Sequence, residues 1–289
     1  MRVFARVKNM YDPMCCKEIP YNVNIAAAMQ GFHEMGFEIV TYHTVDEIYD
    51  MYEKGDIILD GISQVEYCLN KFGLSFPSID YPECLEKYLG RQVWKDTINH
   101  INTHPELWGN FVKPIKEKVF TGKVINSPQD LIGCGSCYED YEVLVSEPLD
   151  IVFEVRGLVY YDDLVDLRPY RGDWAFMNKI DTALIKSAME DWKKWDDRPM
   201  GCTLDWGVVR KKSPVTKTFD SKYKSKYGGT HNTFIIDDYV YETVLIEANA
   251  GISFGPYCTN TNTYAKIISA AMSKVSKTKD ECYFGPILR

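Results

Sequence analysis

Two β runs carry the polar residues on which the fold assignment depends: residues 202–209 read CTLDWGVV and residues 244–249 read VLIEAN. Asp205 is the only charge in the first run, and an acid inside an apolar strand loses hydration unless it is paired or bound to a cation. Glu247 and Asn249 are two residues apart, so their side chains emerge on one strand face. Carboxylate and amide oxygens suit Mg²⁺. The runs therefore predict a magnesium site; the alternatives are an arginine-paired acid and a solvated polar face.

A third β run, residues 151–161 (IVFEVRGLVYY), places Glu154 and Arg156 on one face of a strand. Two interpretations stay open at this point. The pair is either a salt-bridge ladder on a sheet face, or an acceptor for a ribose hydroxyl beside a guanidinium that binds phosphate.

Residues 110–122, NFVKPIKEKVFTG, offer cations for phosphate binding. Lys113 lies in a short apolar strand, where an ammonium on a rigid element is a point charge suited to a nucleotide phosphate. The alternative is a side chain that extends its charge into solvent. Lys118 precedes the pair Thr121-Gly122, whose backbone N–H groups suit the same phosphate.

Strands, helices and glycines alternate through the first 80 residues. Gly36, Gly55 and Gly73 end three predicted helices, because glycine readily adopts the left-handed conformation after a helix. The alternation predicts βαβ units around a small parallel sheet. No GxGxxG follows the first strand, so the usual dinucleotide site is not expected. The predicted elements are strands at 2–7, 37–42 and 56–59 and helices at 24–35, 45–54 and 63–72.

The pattern of predicted secondary structure changes after a proline-containing linker at residues 75–82. Longer β runs follow, with an amphipathic helix at 182–195 and a final helix at 263–275. We therefore predict an α/β domain over residues 1–85 and an α+β domain with mainly antiparallel sheets over residues 86–289.

Composition limits the classes of function. The 33 basic and 41 acidic residues give a formal net charge of −8, which argues against general nucleic-acid binding. No run of apolar residues is long enough to span a membrane, and no signal peptide is recognisable. Nine cysteines, an odd number in a long chain, predict reduced thiols and a cytoplasmic location. Cys134 and Cys137 form a CxxC, which is either a redox or zinc half-site or an ordinary pair in a loop.

Residues 210–226 are the basic segment of this acidic chain, with seven basic residues against the single Asp220. We expect either a solvated loop or a lid that attracts an anionic substrate such as an acidic peptide. Nucleic acid is a weaker possibility that depends on the aromatic residues of the same segment.

The order of these motifs resembles that of the ATP-grasp superfamily. The KVFTG sequence after FVKP is most similar to the clade that is named for one arginine and two lysines. The resemblance covers about residues 88–275, and the preceding βαβ region resembles a pre-ATP-grasp domain. The matching stretches are FVKP (111–114), SEPL (146–149), FEVRGLVYY (153–161), LRPYRG (167–172), TLDWGVV (203–209) and IEANAG (246–251).

The resemblance implies ATP held between two α+β subdomains and a Mg²⁺-dependent carboxylate–amine ligase that acts through an acylphosphate. The implied substrates are an amino acid or a peptide, together with an amine. Magnesium would be bound by Asp205, Glu247 and Asn249. ATP would contact Lys95, Lys113, Lys118, Glu147, Leu149, Glu154 and Arg156, with Arg156 and Lys113 in catalytic roles. The acid substrate would contact Arg168 and Arg171. Because the loop after Lys113 is poor in glycine, the alternative is a non-catalytic nucleotide-binding or interaction module.

Overall fold

The computed structural model describes residues 1–12, 17–76, 79–115, 119–134, 140–220, 231–277 and 281–284; within these ranges it describes no side chains for 10–12, 17, 214–220, 231–237, 275–277 and 281–284. The strands are β1 (Arg2–Asp12), β2 (Lys17–Pro20), β3 (Glu38–Tyr42), β4 (Ile57–Leu59), β5 (Leu74–Ser75), β6 (Val93–Thr97), β7 (Phe111–Pro114), β8 (Lys123–Val124), β9 (Glu142–Ser146), β10 (Ile151–Tyr160), β11 (Asp163–Gly172), β12 (Gly201–Asp220), β13 (His231–Ala250), β14 (Lys274–Lys277) and β15 (Glu281–Phe284). The α-helices are α1 (Val23–Glu34), α2 (Val45–Tyr49), α3 (Ile62–Asn70), α4 (Ile98–Thr103), α5 (Thr182–Trp192) and α6 (Thr261–Ser273).

The chain forms two compact units, and each is described by itself. The first unit contains Met1–Tyr88, Val152–Val208 and Thr243–Arg289. The second unit contains Leu89–Ile151 and Val209–Glu242. The predicted division into domains 1–85 and 86–289 stays a prediction.

A small parallel sheet forms the N-terminal part of the first unit, as predicted. The central strand β1 pairs in parallel with β3 on one side and with β4 on the other, and β2 adds an antiparallel strand to its second half. The Asn22 side chain caps α1 by accepting a hydrogen bond from the Ile25 N–H at 2.9 Å. Helix α2 ends at Tyr49, so it is shorter than the predicted helix 45–54.

Helix α6 completes the core of the first unit by packing against α1 and the start of β12. A Cβ at Gly31 of α1 would come within 2.1 Å of the Thr261 carbonyl oxygen. A Cβ at Gly201 would come within 2.1 Å of the Ile267 carbonyl oxygen. Only glycine allows backbones to approach so closely. The C-terminal helix is therefore joined to the N-terminal parallel sheet in one hydrophobic core.

A second sheet has the strand order β11-β10-β12-β13, with β10 and β11 forming an antiparallel hairpin. Strands β12 and β13 are each 20 residues long. Strand β12 extends to Asp220, so residues 210–220 of the basic segment form a strand, and the expectation of a loop there is wrong. Residues 221–230 lie outside the described residues.

The second unit contains the antiparallel sheet β6-β9-β7-β8. One face of this sheet is buried against α4, where Val112, Val143 and Val145 pack with Ile98 and Ile101. The opposite face carries the alternate residues of the same strands. In the described ranges no helix is long and apolar enough to cross a membrane.

Candidate functional site

The centre of the candidate site is a buried ion pair between β10 and β12 in the first unit. Arg156 donates from Nε to Asp205 Oδ1 at 2.8 Å and from Nη2 to Oδ2 at 2.6 Å. Asp205 is 1% exposed. The alternation of side chains along each strand directs both residues to the same place, and the planar guanidinium matches the carboxylate in a two-bond contact. The sequence-predicted Arg156 and Asp205 are therefore brought into direct contact.

Glu247 and Asn249 join this pair from β13. The Asn249 amide nitrogen lies 3.1 Å from Glu247 Oε1 and 3.4 Å from Asp205 Oδ2. Ala248 between them is buried, which agrees with the predicted alternation along this strand. The three predicted metal ligands thus meet around one amide group.

Glu154 is 6% exposed and lies on the same strand face as Arg156. Tyr170 Oη donates to Glu154 Oε2 at 2.6 Å, and Arg171 Nη1 lies 3.2 Å from Oε1. Both carboxylate oxygens of Glu154 therefore contact β11, Oε2 through a hydrogen bond and Oε1 through an ion pair. The predicted contact of Glu154 with a ribose hydroxyl stays a prediction.

Two tyrosines that the sequence patterns did not single out cover Arg156. The Arg156 guanidinium carbon lies 5.5 Å from the ring centre of Tyr170 and 5.1 Å from that of Tyr257, and the two rings stack at 4.9 Å. Such contacts orient a guanidinium and attract its charge. Tyr257 and Cys258 both have positive φ angles, 44° and 65°, in the loop between β13 and α6. Consecutive non-glycine residues of this kind are strained, and such strain concentrates at functional sites.

Burial and charge have opposing effects on the central pair. Burial raises the pKa of Asp205, the hydrogen bonds from Arg156 oppose the rise, and the negative charges of Glu247 and Glu154 add to it. Burial lowers the pKa of Arg156, but its bonds to Asp205 outweigh burial and the pKa is raised. The guanidinium therefore stays charged. Three carboxylates surround one buried cation, which leaves a surplus of negative charge.

The remaining donor set fits a hard divalent cation. In the part of the chain that the structure describes, no three His, Cys, Asp or Glu side chains are grouped to hold a metal. The third ligand of the predicted set is the amide of Asn249, whose oxygen is the kind of ligand that Mg²⁺ accepts. Asp205, Glu247 and Asn249 thus supply oxygen ligands with two negative charges, and Mg²⁺ would offset the surplus charge.

Arg168, a predicted substrate residue, is paired on β11. Its Nε donates to Asp166 Oδ2 at 2.7 Å, and Asp166 also accepts from the Thr259 hydroxyl. Arg171, the other predicted substrate residue, is exposed, and its Nη1 forms an ion pair with Glu154. Their roles toward a substrate stay predictions.

The predicted lysines of the second unit lie in one row of its sheet. Lys95 on β6 and Lys113 on β7 are both register partners of Leu144 on β9. Residues opposite one another in antiparallel strands share a face, and two strand spacings separate the lysine backbones by about 10 Å. Gly122 packs on this face, because a Cβ there would lie 2.9 Å from Lys113 Cβ. Lys118 lies outside the described residues.

The predicted adenine hinge follows the end of β9. Glu147 is exposed, its carbonyl accepts a hydrogen bond from Ser146 Oγ at 3.3 Å, and its Oε2 lies 3.4 Å from the Gln92 N–H. Leu149 is half-buried. Contact of this segment with adenine and a position of ATP between two subdomains stay predictions.

Two other expectations fall partly outside the described residues. Cys134 is buried and donates to the Asp130 carbonyl, whereas Cys137 is not described, so the CxxC hypothesis stays untested. In the basic segment, Arg210 pairs with Asp150 and Lys211 pairs with Glu242. These two charges are therefore partly offset within the second unit.

Solved structures with a similar course of the chain have low sequence identity. D-alanine–D-alanine ligase from Bacillus anthracis is 12% identical with a TM-score of 0.49, covering 94% of this chain and 96% of that chain. N5-carboxyaminoimidazole synthetase from Staphylococcus aureus is 11% identical with a TM-score of 0.47, covering 96% and 78%. The macrocyclase MdnC from Microcystis aeruginosa, bound with its precursor peptide, is 12% identical with a TM-score of 0.43, covering 93% and 99%.

A search of curated proteins found no match to this chain. The model of one protein family matches residues 88–267, which is more than half of the chain and contains every predicted site residue. The predicted resemblance and fold are thereby confirmed. The chain belongs to the ATP-grasp domain family, R2K clade family 2.

Proposed function

We propose that this protein is an ATP- and Mg²⁺-dependent carboxylate–amine ligase that acts through an acylphosphate. The observation that carries the proposal is the buried Arg156–Asp205 pair with Glu247 and Asn249 beside it. A guanidinium next to surplus carboxylates suits a reaction in which phosphoryl groups and a divalent cation meet. The acid is an amino acid or a peptide, and the place of action is the cytoplasm.

Magnesium would be held by Asp205, Glu247 and Asn249, and when bound it would neutralise negative charge on the phosphates of ATP. Asp205 stays oriented by its two bonds to Arg156, and Glu247 is positioned by its contact with the Asn249 amide. These contacts fix the ligands before a nucleotide arrives, which avoids reorganisation during the reaction.

Arg156 has donors left for the transferring group. Its contacts with Asp205 use Nε and one N–H of Nη2, and among the described residues Nη1 has no hydrogen-bond partner. A guanidinium has five N–H donors, so Arg156 can hold Asp205 and still donate to a phosphoryl oxygen. The rings of Tyr170 and Tyr257 limit its rotation. Arg156 thus stabilises charge that develops on the phosphoryl group.

The proposed reaction has two balanced steps. A carboxylate oxygen of the substrate bonds to the terminal phosphorus of ATP while the bond to ADP breaks. The amine nitrogen then bonds to the acyl carbon, inorganic phosphate leaves with the bonding electron pair, and the nitrogen loses a proton. Positioning and charge neutralisation suffice for both steps, so no side-chain nucleophile is required.

Lys113 and Lys95 contact the ATP phosphates in this proposal, with Lys113 in the catalytic role. Their shared row on the sheet supports it, because two ammonium groups on one rigid face match a polyanion. Glu147 and Leu149 receive the adenine, Glu154 the ribose, and Arg168 and Arg171 the acid substrate.

The test measures nucleotide binding and turnover by the full chain. ATP with Mg²⁺ is expected to raise the melting temperature by several degrees, since a ligand that binds only the folded state stabilises it. Excess EDTA should abolish most of this shift. ADP release is then screened across pairs of amino acids, short peptides and amines, and the products are identified by mass spectrometry.

A pair of lysine variants tests whether ATP binds the sheet face that carries Lys95 and Lys113. Lys113→Met is expected to weaken ATP binding by about tenfold, the loss typical of a charge-assisted contact. Lys123→Met is the matched control, because Lys123 on β8 is the register partner of Val112, whose side chain lies on the buried face. No stabilisation by ATP and Mg²⁺ would refute the proposal. Nucleotide binding without ADP release for any substrate pair would favour the non-catalytic nucleotide-binding module.

A further inference from the structure

A second polar site lies in the first unit, where the parallel pairing of β1 ends at Arg6 and where β4 ends at Leu59. A cavity of about 250 Å³ opens there, next to the first turns of α1 and α3. Its polar lining includes Arg6, Asp60 and Gln64, and its apolar lining includes Ile25 and Leu59. A cavity of this volume is smaller than the pockets that hold drug-sized ligands.

The topology makes this a ligand-binding position. The chain passes from β1 to β3 on one side and then crosses to β4 on the other. In open parallel sheets, ligands bind outside the carboxyl ends of the strands at the point where the strand order reverses. Arg6 is the last β1 residue that pairs with β3, and Asp60 directly follows β4.

Arg6 has an N–H donor that does not bond to any neighbouring acceptor in the part of the chain that the structure describes. Its Nη1 lies 3.2 Å from Asp60 Oδ1, and its guanidinium carbon lies 4.0 Å from the ring centre of Tyr21. Within the described residues, its buried Nε has no hydrogen-bond partner. A buried donor without a partner is destabilising, and a bound anion would remove that cost.

Asp60, by contrast, is fully satisfied. Its carboxylate accepts from Tyr42 Oη at 2.8 Å, from the Gly61 N–H at 2.7 Å and from Arg6. Asp60 is also nearly inaccessible, at 3% side-chain exposure. The carboxylate therefore has little capacity for a ligand, and the remaining hydrogen-bonding capacity of the pair belongs to Arg6.

Helix α3 adds backbone donors on the same side. It is nine residues long, and its N-cap Gly61 has no side chain to cap it. The Gln64 and Val65 N–H groups bond to the Gly61 carbonyl, and among the described residues those of Ile62 and Ser63 have no backbone partner. Uncapped first-turn N–H groups and the helix dipole favour an anion.

We propose that this cavity binds a small carboxylate with an apolar body, of the size of an amino acid. Arg6 and the first turn of α3 receive the carboxylate, and Ile25, Leu59 and Ile252 contact the apolar part. A planar carboxylate matches the fork of a guanidinium and adds one negative charge to the neutral Arg6–Asp60 pair. A phosphate group would add up to two negative charges and therefore suits this pair less well.

The cavity shares a loop with the Arg156 cluster. Ile252 and Ser253 line the cavity and follow Asn249 closely along the chain. Tyr264 lines the cavity from α6, and its hydroxyl donates to the Phe254 carbonyl at 2.5 Å. Burial raises the pKa of this hydroxyl, and the positive charge of Arg156 opposes the rise. We assign the cavity to the amine-bearing substrate, whose own carboxylate is not the one that ATP activates. This assignment rests on the proposed ligase function, whereas carboxylate binding in the cavity does not.

The experiment compares free amino acids with their amides. L-alanine, L-leucine and L-phenylalanine, each paired with its carboxamide, are titrated into the full-length protein by calorimetry and thermal shift, with inorganic phosphate as a separate probe. At least one free amino acid should bind at least tenfold more tightly than its amide. Arg6→Gln should lose that preference. Binding of phosphate alone, or equal binding of acid and amide, would overturn the proposal.

Further variants keep the test decisive if Arg6→Gln folds poorly. Gln64→Phe fills the cavity from α3 without changing the ion pair and should abolish binding, whereas Asn70→Phe places the same ring at the exposed end of α3 and should preserve it. Glu247→Gln should still bind the amino acid. Loss of binding in Glu247→Gln but not in Gln64→Phe would move the carboxylate site to the Arg156 cluster and overturn the assignment. Gln64→Phe should keep its response to ATP and Mg²⁺, so the two proposals fail separately.

Discussion

Two arginine–aspartate pairs of the first unit have the same composition and opposite surroundings. Arg156 and Asp205 form two short bonds, and the carboxylates of Glu154 and Glu247 add further negative charge around them. Arg6 and Asp60 form a single longer bond, and the other groups nearby, Tyr42 Oη and backbone N–H groups, are donors. The first pair thus has surplus carboxylates beside it, whereas the second has surplus donors.

An arginine–aspartate pair can therefore suit two kinds of ligand, depending on the groups beside it. An ion pair with surplus carboxylates attracts a cation, and an ion pair with surplus donors attracts an anion. The type of charged residue is the same in both places. The neighbouring strands and helix ends, which come from distant parts of the chain, decide the sign of the ligand.

The largest expected effect is a difference in the free energy of unfolding when the arginine of each pair is replaced. Arg156→Ala leaves Asp205 buried without its cation and should lower the free energy of unfolding by about 3–5 kcal/mol. Arg6→Ala should lower it by about 1 kcal/mol, because Asp60 keeps Tyr42 and the Gly61 N–H. Urea unfolding monitored by circular dichroism measures both. Arg198→Ala, which breaks a more exposed pair with Asp162, is the control for loss of an arginine. Equal losses at Arg156 and Arg6 would contradict the comparison.

The next effect concerns the cation expected at the acceptor-rich pair. Glu247→Gln removes one negative charge from the ligand set and should weaken binding of ATP in the presence of Mg²⁺ by about tenfold to a hundredfold. Isothermal titration calorimetry measures this loss. Glu242→Gln, an exposed acid on the same strand, should bind like the unaltered protein. If both variants bind equally well, Glu247 is not a magnesium ligand.

A smaller effect tests the donors that hold Glu154. Tyr170→Phe removes the hydroxyl that donates to Glu154 and should lower the free energy of unfolding by about 1.5–3 kcal/mol, the range for a hydrogen bond to a charged group. Tyr257→Phe keeps the stacked ring and should change stability by less than about 0.5 kcal/mol. Chemical denaturation of the two variants side by side gives the comparison. A loss in Tyr257→Phe as large as in Tyr170→Phe would contradict a specific contribution of the Tyr170 hydroxyl bond to Glu154.

The smallest effect involves a half-buried carboxylate, Asp191, which accepts bonds from several donors. Bonds from Lys194, Lys87 and Tyr88 hold the pKa of Asp191 well below its ordinary value. A lowered folded-state pKa stabilises the fold above the unfolded value of about 3.9, and this contribution is lost as pH falls below it. The stability advantage of the unaltered protein over Asp191→Asn should therefore shrink between about pH 6 and pH 3. Denaturation at a series of pH values measures it, and a constant difference would contradict the assignment.

The strand alternation was sufficient to predict the same-face pairs from which the cluster is built. A period of two residues places Glu247 with Asn249 and Glu154 with Arg156 whatever the rest of the fold is, and a lone acid in an apolar strand requires a partner. That Asp205 and Arg156 would be partners was not predictable, because strand order and register depend on contacts between distant segments.

The aromatic cover of Arg156 had no signal in the sequence. Tyr170 reaches the cluster from a register shift in the β10–β11 hairpin, where it has no partner in the register, and Tyr257 does so from a loop with two left-handed residues. Loops have no periodicity from which a side-chain direction follows. A non-glycine positive φ angle becomes visible only in coordinates.

The sequence by itself determined the elements and the chemistry available on them: the parallel N-terminal strands, the antiparallel runs, and the acids, arginines and lysines that they carry. These follow from local rules of periodicity and helix ending. The tertiary structure alone decided which of these groups meet. It placed Lys95 and Lys113 beside one leucine, Arg156 on Asp205, and Arg6 at the mouth of a cavity, because such meetings depend on strand register and core packing between residues far apart in the chain.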